Sequence, residues 1–134
     1  MLKKAGDAKM RERRAKKVII VDEDPSYRML LQKILKSLNC DVVGEASGGQ
    51  EAIDLCERKK PDVVLLNIQI PLEHGLELLK ELKKLNPYVV VIMITTVTEE
   101  KTIKRCIEAG AAGYILKSST ANEIQNRLKK FINL

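Results

Sequence analysis

Hydrophobic positions along this chain change their period about every ten residues. Lys17-Val18-Ile19-Ile20-Val21 is a β-branched run of the kind that fills a strand buried on both faces. Tyr27, Leu30, Leu31, Ile34, Leu35 and Leu38 then recur at helical spacing, and Asp24-Pro25-Ser26 opens that helix with a capping side chain and a proline near the first turn. The same reading predicts strands at 41–45, 62–66, 89–95 and 113–116, and helices at 48–58, 75–85, 99–109 and 121–132. Five strands alternating with five helices predict a doubly wound α/β fold, because right-handed crossovers place helices on both faces of a parallel sheet. No repeat of fixed period competes with it.

With 134 residues, the chain suits one domain with a single core. Its net charge of +6 is unevenly placed. Residues 1–17 hold eight basic side chains against Asp7 and Glu12, and the remainder carries 16 of each sign. The division expected is a basic N-terminal extension, 1–16, and a folded domain, 17–134. Such an extension can touch nucleic acid through counterion release, but it has no aromatic residue on which bases would stack. Cys40, Cys56 and Cys106 form no CxxC pair, which argues against a disulfide framework or a zinc cluster. The longest apolar run, 88–97, is too short to span a bilayer, and the N-terminus is too charged for a signal peptide. The expectation is a soluble cytoplasmic protein that does not engage a membrane.

In a sheet of this type, ligands bind beyond the carboxyl ends of the strands. Those ends supply Asp22, Glu23 and Asp24, then Asn67, then Thr95 and Thr96, then Lys117 and Ser118. The first strand-to-helix loop is acidic, and the glycines lack P-loop or dinucleotide spacing, so nucleotide and flavin binding are not expected. Asp22 and Glu23 beside a lysine suit a hard divalent cation, whereas helix capping alone explains Asp24. His74, the one histidine, has only Glu73 near it at ligand spacing and reads as a solvated loop residue before Gly75. No nucleophile elbow supports hydrolase chemistry.

Taken jointly, these strand ends resemble the response regulator receiver domain of two-component signalling, of the chemotaxis single-domain type. The resemblance covers about 17–132. Val21-Asp22-Glu23-Asp24-Pro25-Ser26-Tyr27-Arg28 looks like the family's acidic pair and following arginine. Pro61 to Gly75 looks like the phosphoacceptor strand and its loop, with Asn67 where the family carries the acceptor aspartate. Ile94-Thr95-Thr96 resembles the switch threonine segment, and Gly113-Tyr114-Ile115-Leu116-Lys117 the switch aromatic and the lysine. Ser118 stands where many relatives have proline.

The resemblance implies a flavodoxin-like strand order 2-1-3-4-5 and a non-enzymatic signalling module of a phosphorelay. In the family, an aspartate attacks a phosphohistidine or small phosphodonor while Mg²⁺ and the lysine neutralise charge. Asn67 cannot play this part, because its amide nitrogen is a poor nucleophile and its oxygen a neutral acceptor. Asp22 and Glu23 face Lys117, so the pocket carries one like charge fewer than with aspartate at 67. At ~4 Å and intermediate dielectric that difference is worth about 4 kcal/mol. Glu23 stands where the family has a metal-ligating aspartate, and its extra methylene crowds an ion that tolerates little geometric error. Mg²⁺ held by Asp22, Glu23 and the Gln69 backbone carbonyl is therefore expected to bind weakly or not at all, and no other cofactor is implied.

Thr95 and Tyr114 look like the pair that relays phosphorylation to a partner face; the alternative is that Thr95 ends a strand and Tyr114 packs. The leading expectation is a pseudo-receiver or acceptor-site variant. It meets a histidine kinase or downstream protein through its fourth helix, fifth strand and fifth helix, with Lys104 or Arg105 near Tyr114, and a homodimer is compatible. The rival is a nucleic-acid-associated factor using the basic segment.

Overall fold

The computed structural model describes residues 14–67 and 72–132. Five strands, β1 Lys17–Val21, β2 Asp41–Ala46, β3 Val63–Leu66, β4 Val90–Thr95 and β5 Gly113–Leu116, pair in parallel in the order β2-β1-β3-β4-β5. Between and after them run α1 Pro25–Ser37, α2 Gly49–Lys59, α3 Leu72–Leu85, α4 Glu100–Glu108 and α5 Ala121–Ile132. The expected doubly wound, flavodoxin-like architecture and strand order are those observed.

Alternation along the strands divides the core in two. Ile19, Val21, Val64, Leu66, Val91 and Met93 face α2, α3 and α4, meeting Ala52, Leu79, Leu82 and Cys106. Val18, Ile20, Val63, Leu65, Ile92 and Ile94 face α1 and α5, meeting Leu31, Leu35, Ile124 and Leu128. A strand buried on both sides has no polar face to display, which is why β1, β3 and β4 read as continuous apolar runs. Asp24 caps α1 as its sequence suggests, accepting the Ser26 backbone N–H at 2.9 Å, with Pro25 in the first turn.

One boundary differs in a way that matters. Helix α3 begins at Leu72, not at Gly75. A proline precedes Leu72 in the sequence, a residue compatible with a helix start, and Gly75 is accommodated inside the first turns, where it is buried. His74 thus lies on a helix and not in a loop, although it is exposed as expected.

Candidate functional site at the carboxyl ends of the strands

The sheet's hydrogen bonding continues one residue past the strand ends and fixes the backbone of the site. Asp22 N donates to Ala46 O at 3.0 Å, Asn67 N to Val21 O at 3.0 Å, and Lys117 N to Thr95 O at 2.8 Å. The ends of β1, β3 and β5 are each so locked to a neighbouring strand, and the Asp22 side chain meets that of Lys117 and shares a cavity with Asn67.

Asp22 is almost fully buried, 3% exposed. Its Oδ1 accepts the Asp24 backbone N–H at 2.9 Å. Its Oδ2 lies 2.8 Å from Lys117 Nζ, a close ion pair that is off the directions of a proper hydrogen bond. The same ammonium sits 4.3 Å from the centre of the Tyr27 ring, within cation–π range. Lys117 is held from two sides. Of the two acids that sequence offered as its partner, it chooses Asp22, and Glu23 stays exposed.

Arg28 braces the acidic loop from outside. It donates from Nη1 to the Asp22 carbonyl at 2.5 Å and from Nε to Glu45 Oε1 at 3.1 Å, while Gln32 Nε2 donates to Glu45 Oε2 at 2.8 Å. Helix α1 and strand β2 are thereby tied to the turn that carries Asp22. Burial, and secondarily the Asp22 carboxylate, push the Tyr27 hydroxyl up to about 12. That hydroxyl is buried without a hydrogen-bond partner among the described residues.

Asn67 follows β3, is 8% exposed, and its Oδ1 is buried with no partner among the described residues. It lines a cavity of about 250 Å³ together with Asp22, Glu23 and His74. Val21, Leu66 and Leu78 supply the apolar part of the wall. A larger cavity of about 320 Å³, lined among others by Cys56, Pro61, Leu82 and Val89, lies at the opposite ends of the strands. It contains none of the orphaned buried polar atoms found among the described residues, so the convergent chemistry belongs to the smaller one. Gln69 lies outside the described residues, as does the basic extension apart from its last positions. Among the described residues, no group of three or more His, Cys, Asp or Glu is gathered to hold a metal.

On the far side, Thr95 is fully buried and Tyr114 is 7% exposed. Tyr114 Oη donates to Val97 O at 2.7 Å, and Thr95 Oγ1 accepts the Val97 backbone N–H at 3.2 Å. Both side chains therefore grip Val97, with the aromatic ring inside the α4-side core. Burial, and less so Cys106, push the Tyr114 hydroxyl up to about 12, against a hydrogen bond with Thr95 that lowers it. Lys104 and Arg105 are exposed on α4. No helix among the described residues is long and apolar enough to cross a membrane.

Comparison with protein families matches residues 18–129 to the response regulator receiver domain. The chain belongs to the response regulator receiver family. This receiver is 31% identical over 115 residues to the chemotaxis protein CheY of Thermotoga maritima, covering 86% of this chain and 96% of that one. It is 33% identical to the response regulator protein VraR of Staphylococcus aureus over 85% of its own length, and spans only 55% of that relative. Among solved structures, a response regulator from Thermotoga maritima superposes with a TM-score of 0.83 at 26% identity, covering 90% of this receiver and all of that chain. Receivers are signalling modules of two-component systems that interact with kinases and other proteins and generally bind Mg²⁺ at the phosphorylation site.

Of the strand ends named from sequence, Asp22 and Glu23 share a cavity with Asn67 and Asp22 meets Lys117, whereas Thr95 turns to Val97. The sequence missed Tyr27 as the platform beneath Lys117, because helical spacing marks Tyr27 only as a core position. It also missed His74 as a wall of the cavity, because the residue was placed in a loop.

Proposed function

We propose that this receiver acts without accepting a phosphoryl group, as a pseudo-receiver or acceptor-site variant that signals through protein contacts. The observation that carries the reading is Asn67, a neutral amide at the end of β3, buried with an unpartnered oxygen beside Asp22 and Glu23. An amide nitrogen whose lone pair is delocalised forms no acyl phosphate. The pocket shape of a receiver is kept while its nucleophile is absent.

The fit to Mg²⁺ is poor on the same grounds. Both oxygens of Asp22 are engaged by Asp24 and Lys117, Asn67 is uncharged, and Glu23 is exposed and one methylene longer than an aspartate. A hard ion that keeps strict octahedral geometry finds one uncommitted carboxylate there. The inward, hydrogen-bonded position of Tyr114 supports a signalling surface set without phosphate. That surface comprises α4, β5 and α5, carried by the domain 17–134 and facing a kinase or a downstream protein.

The test reads Tyr114 directly. On addition of Mg²⁺ and a small phosphodonor, the amide resonances of Thr95, Val97 and Tyr114 stay in place in this protein and move in the Asn67→Asp variant. Movement in the unsubstituted protein contradicts the reading.

A further inference from the structure

We infer that the cavity between Asn67, Glu23 and His74 is a binding site for a monovalent guanidinium group, an arginine side chain presented by a protein partner. The inference rests on reading Asn67 as a neutral member of the pocket.

Three observations carry it. Asp22, Glu23 and Lys117 together leave one net negative charge, and Lys117 already neutralises Asp22 at 2.8 Å. The residual charge is therefore that of Glu23, an exposed carboxylate on the cavity wall with no hydrogen-bond or ion-pair partner among the described residues. A divalent cation would overcompensate this charge, and a monovalent one matches it.

The second observation is independent of charge. Asn67 Oδ1 is a buried acceptor with no donor among the described residues, and a buried polar group without a partner costs free energy until one arrives. A guanidinium has five N–H donors in a planar fork and no acceptor, so one edge can serve the Asn67 amide oxygen while another pairs with the Glu23 carboxylate. A carboxylate or a fully ionised phosphoryl group brings only acceptors and would leave the amide oxygen unserved.

The third is the wall itself. Val21, Leu66 and Leu78 give the cavity an apolar side, which suits the methylene stem of a long basic side chain. The cavity, about 250 Å³, is below the usual range for drug-sized ligands and suits a single side chain. At its rim, a Cβ at Gly48 would meet nothing within 4 Å, and one at Gly49 only the Leu78 side chain at 3.8 and 3.9 Å, so a partner's backbone can approach closely.

The experiment titrates ¹⁵N-labelled protein with methylguanidinium chloride, using tetramethylammonium chloride at equal ionic strength as a donor-free control. Saturable shifts at Asn67, Gly49 and Gly75 with methylguanidinium alone are expected, and Glu23→Gln weakens them about threefold, the scale of one exposed ion pair. Glu57→Gln, at the opposite ends of the strands, leaves them unchanged. Absence of saturation, equal shifts with tetramethylammonium, or saturation of the same resonances by Mg²⁺ at lower concentration overturns the inference. A mass gain of the unsubstituted protein with a phosphodonor would instead overturn the phosphate-independent reading, so the two failures are separable.

Discussion

The ammonium of Lys117 lies 2.8 Å from Oδ2 of Asp22, with both side chains largely withdrawn from water, 9% and 1% exposed respectively. A pair this buried is asymmetric in its energetics: breaking it strands a charge, whereas removing both charges does not. Lys117→Met should destabilise the fold by about 3–5 kcal/mol, and Asp22→Asn by a similar amount. The double substitution should cost clearly less than the sum of the two. Urea denaturation of the four proteins of this cycle measures it, and additive losses would contradict the pairing.

Tyr27 and Tyr114 make stability depend on alkaline pH. Each hydroxyl is raised from 10.0 to about 12 in the folded protein, chiefly by burial. The folded state therefore keeps protons that the unfolded chain releases, so this contribution is intact below pH 10 and is lost as pH rises toward about 12. Relative to wild type, a Tyr27→Phe/Tyr114→Phe protein should lose less stability across that window, as thermal melts at each pH will show. At neutral pH the two sites differ in sign. Tyr114→Phe should cost about 1 kcal/mol for the bond to Val97 O, while Tyr27→Phe, which removes an unpartnered hydroxyl and keeps the ring under Lys117, should be neutral or stabilising.

Gly113, the first residue of β5, is required for packing. A Cβ there would fall into the ring of Phe131 on α5. Gly113→Ala should destabilise by about 1–3 kcal/mol through overpacking, and Phe131→Leu in the same chain should recover part of the loss. No recovery in chemical denaturation would place the strain elsewhere.

The fold was largely legible because two-sided burial writes itself into the strands as β-branched runs and one-sided burial writes itself into the helices at i, i+3, i+4 spacing. Val63–Leu66 and Val90–Thr95 are found within a residue of the segments the pattern indicates. The start of α3 was not legible, because Gly75 reads as a breaker while tertiary packing buries it inside the helix. At the site, strand-end position was enough to place Asp22, Asn67, Thr95 and Lys117 at one end of the sheet, while Tyr114, the second residue of β5, was singled out only by the family resemblance. Position could not say which acid Lys117 selects. That choice follows from the Asp22 side chain turning inward, where Asp24 N–H holds Oδ1, and from the Tyr27 ring beneath the ammonium. Neither contact leaves a periodic trace in the sequence.

Whether this receiver accepts a phosphoryl group, and whether Asn67 alone decides it, is read most directly by intact mass. The protein and its Asn67→Asp variant are each incubated with Mg²⁺ and a small phosphodonor. A gain of one phosphoryl group by the variant only is the expected result, and it would show that Asp22, Lys117 and the surrounding pocket remain competent. Phosphoryl gain on the unsubstituted protein would contradict the central claim outright. If neither protein gains mass, Asn67 is not the sole determinant.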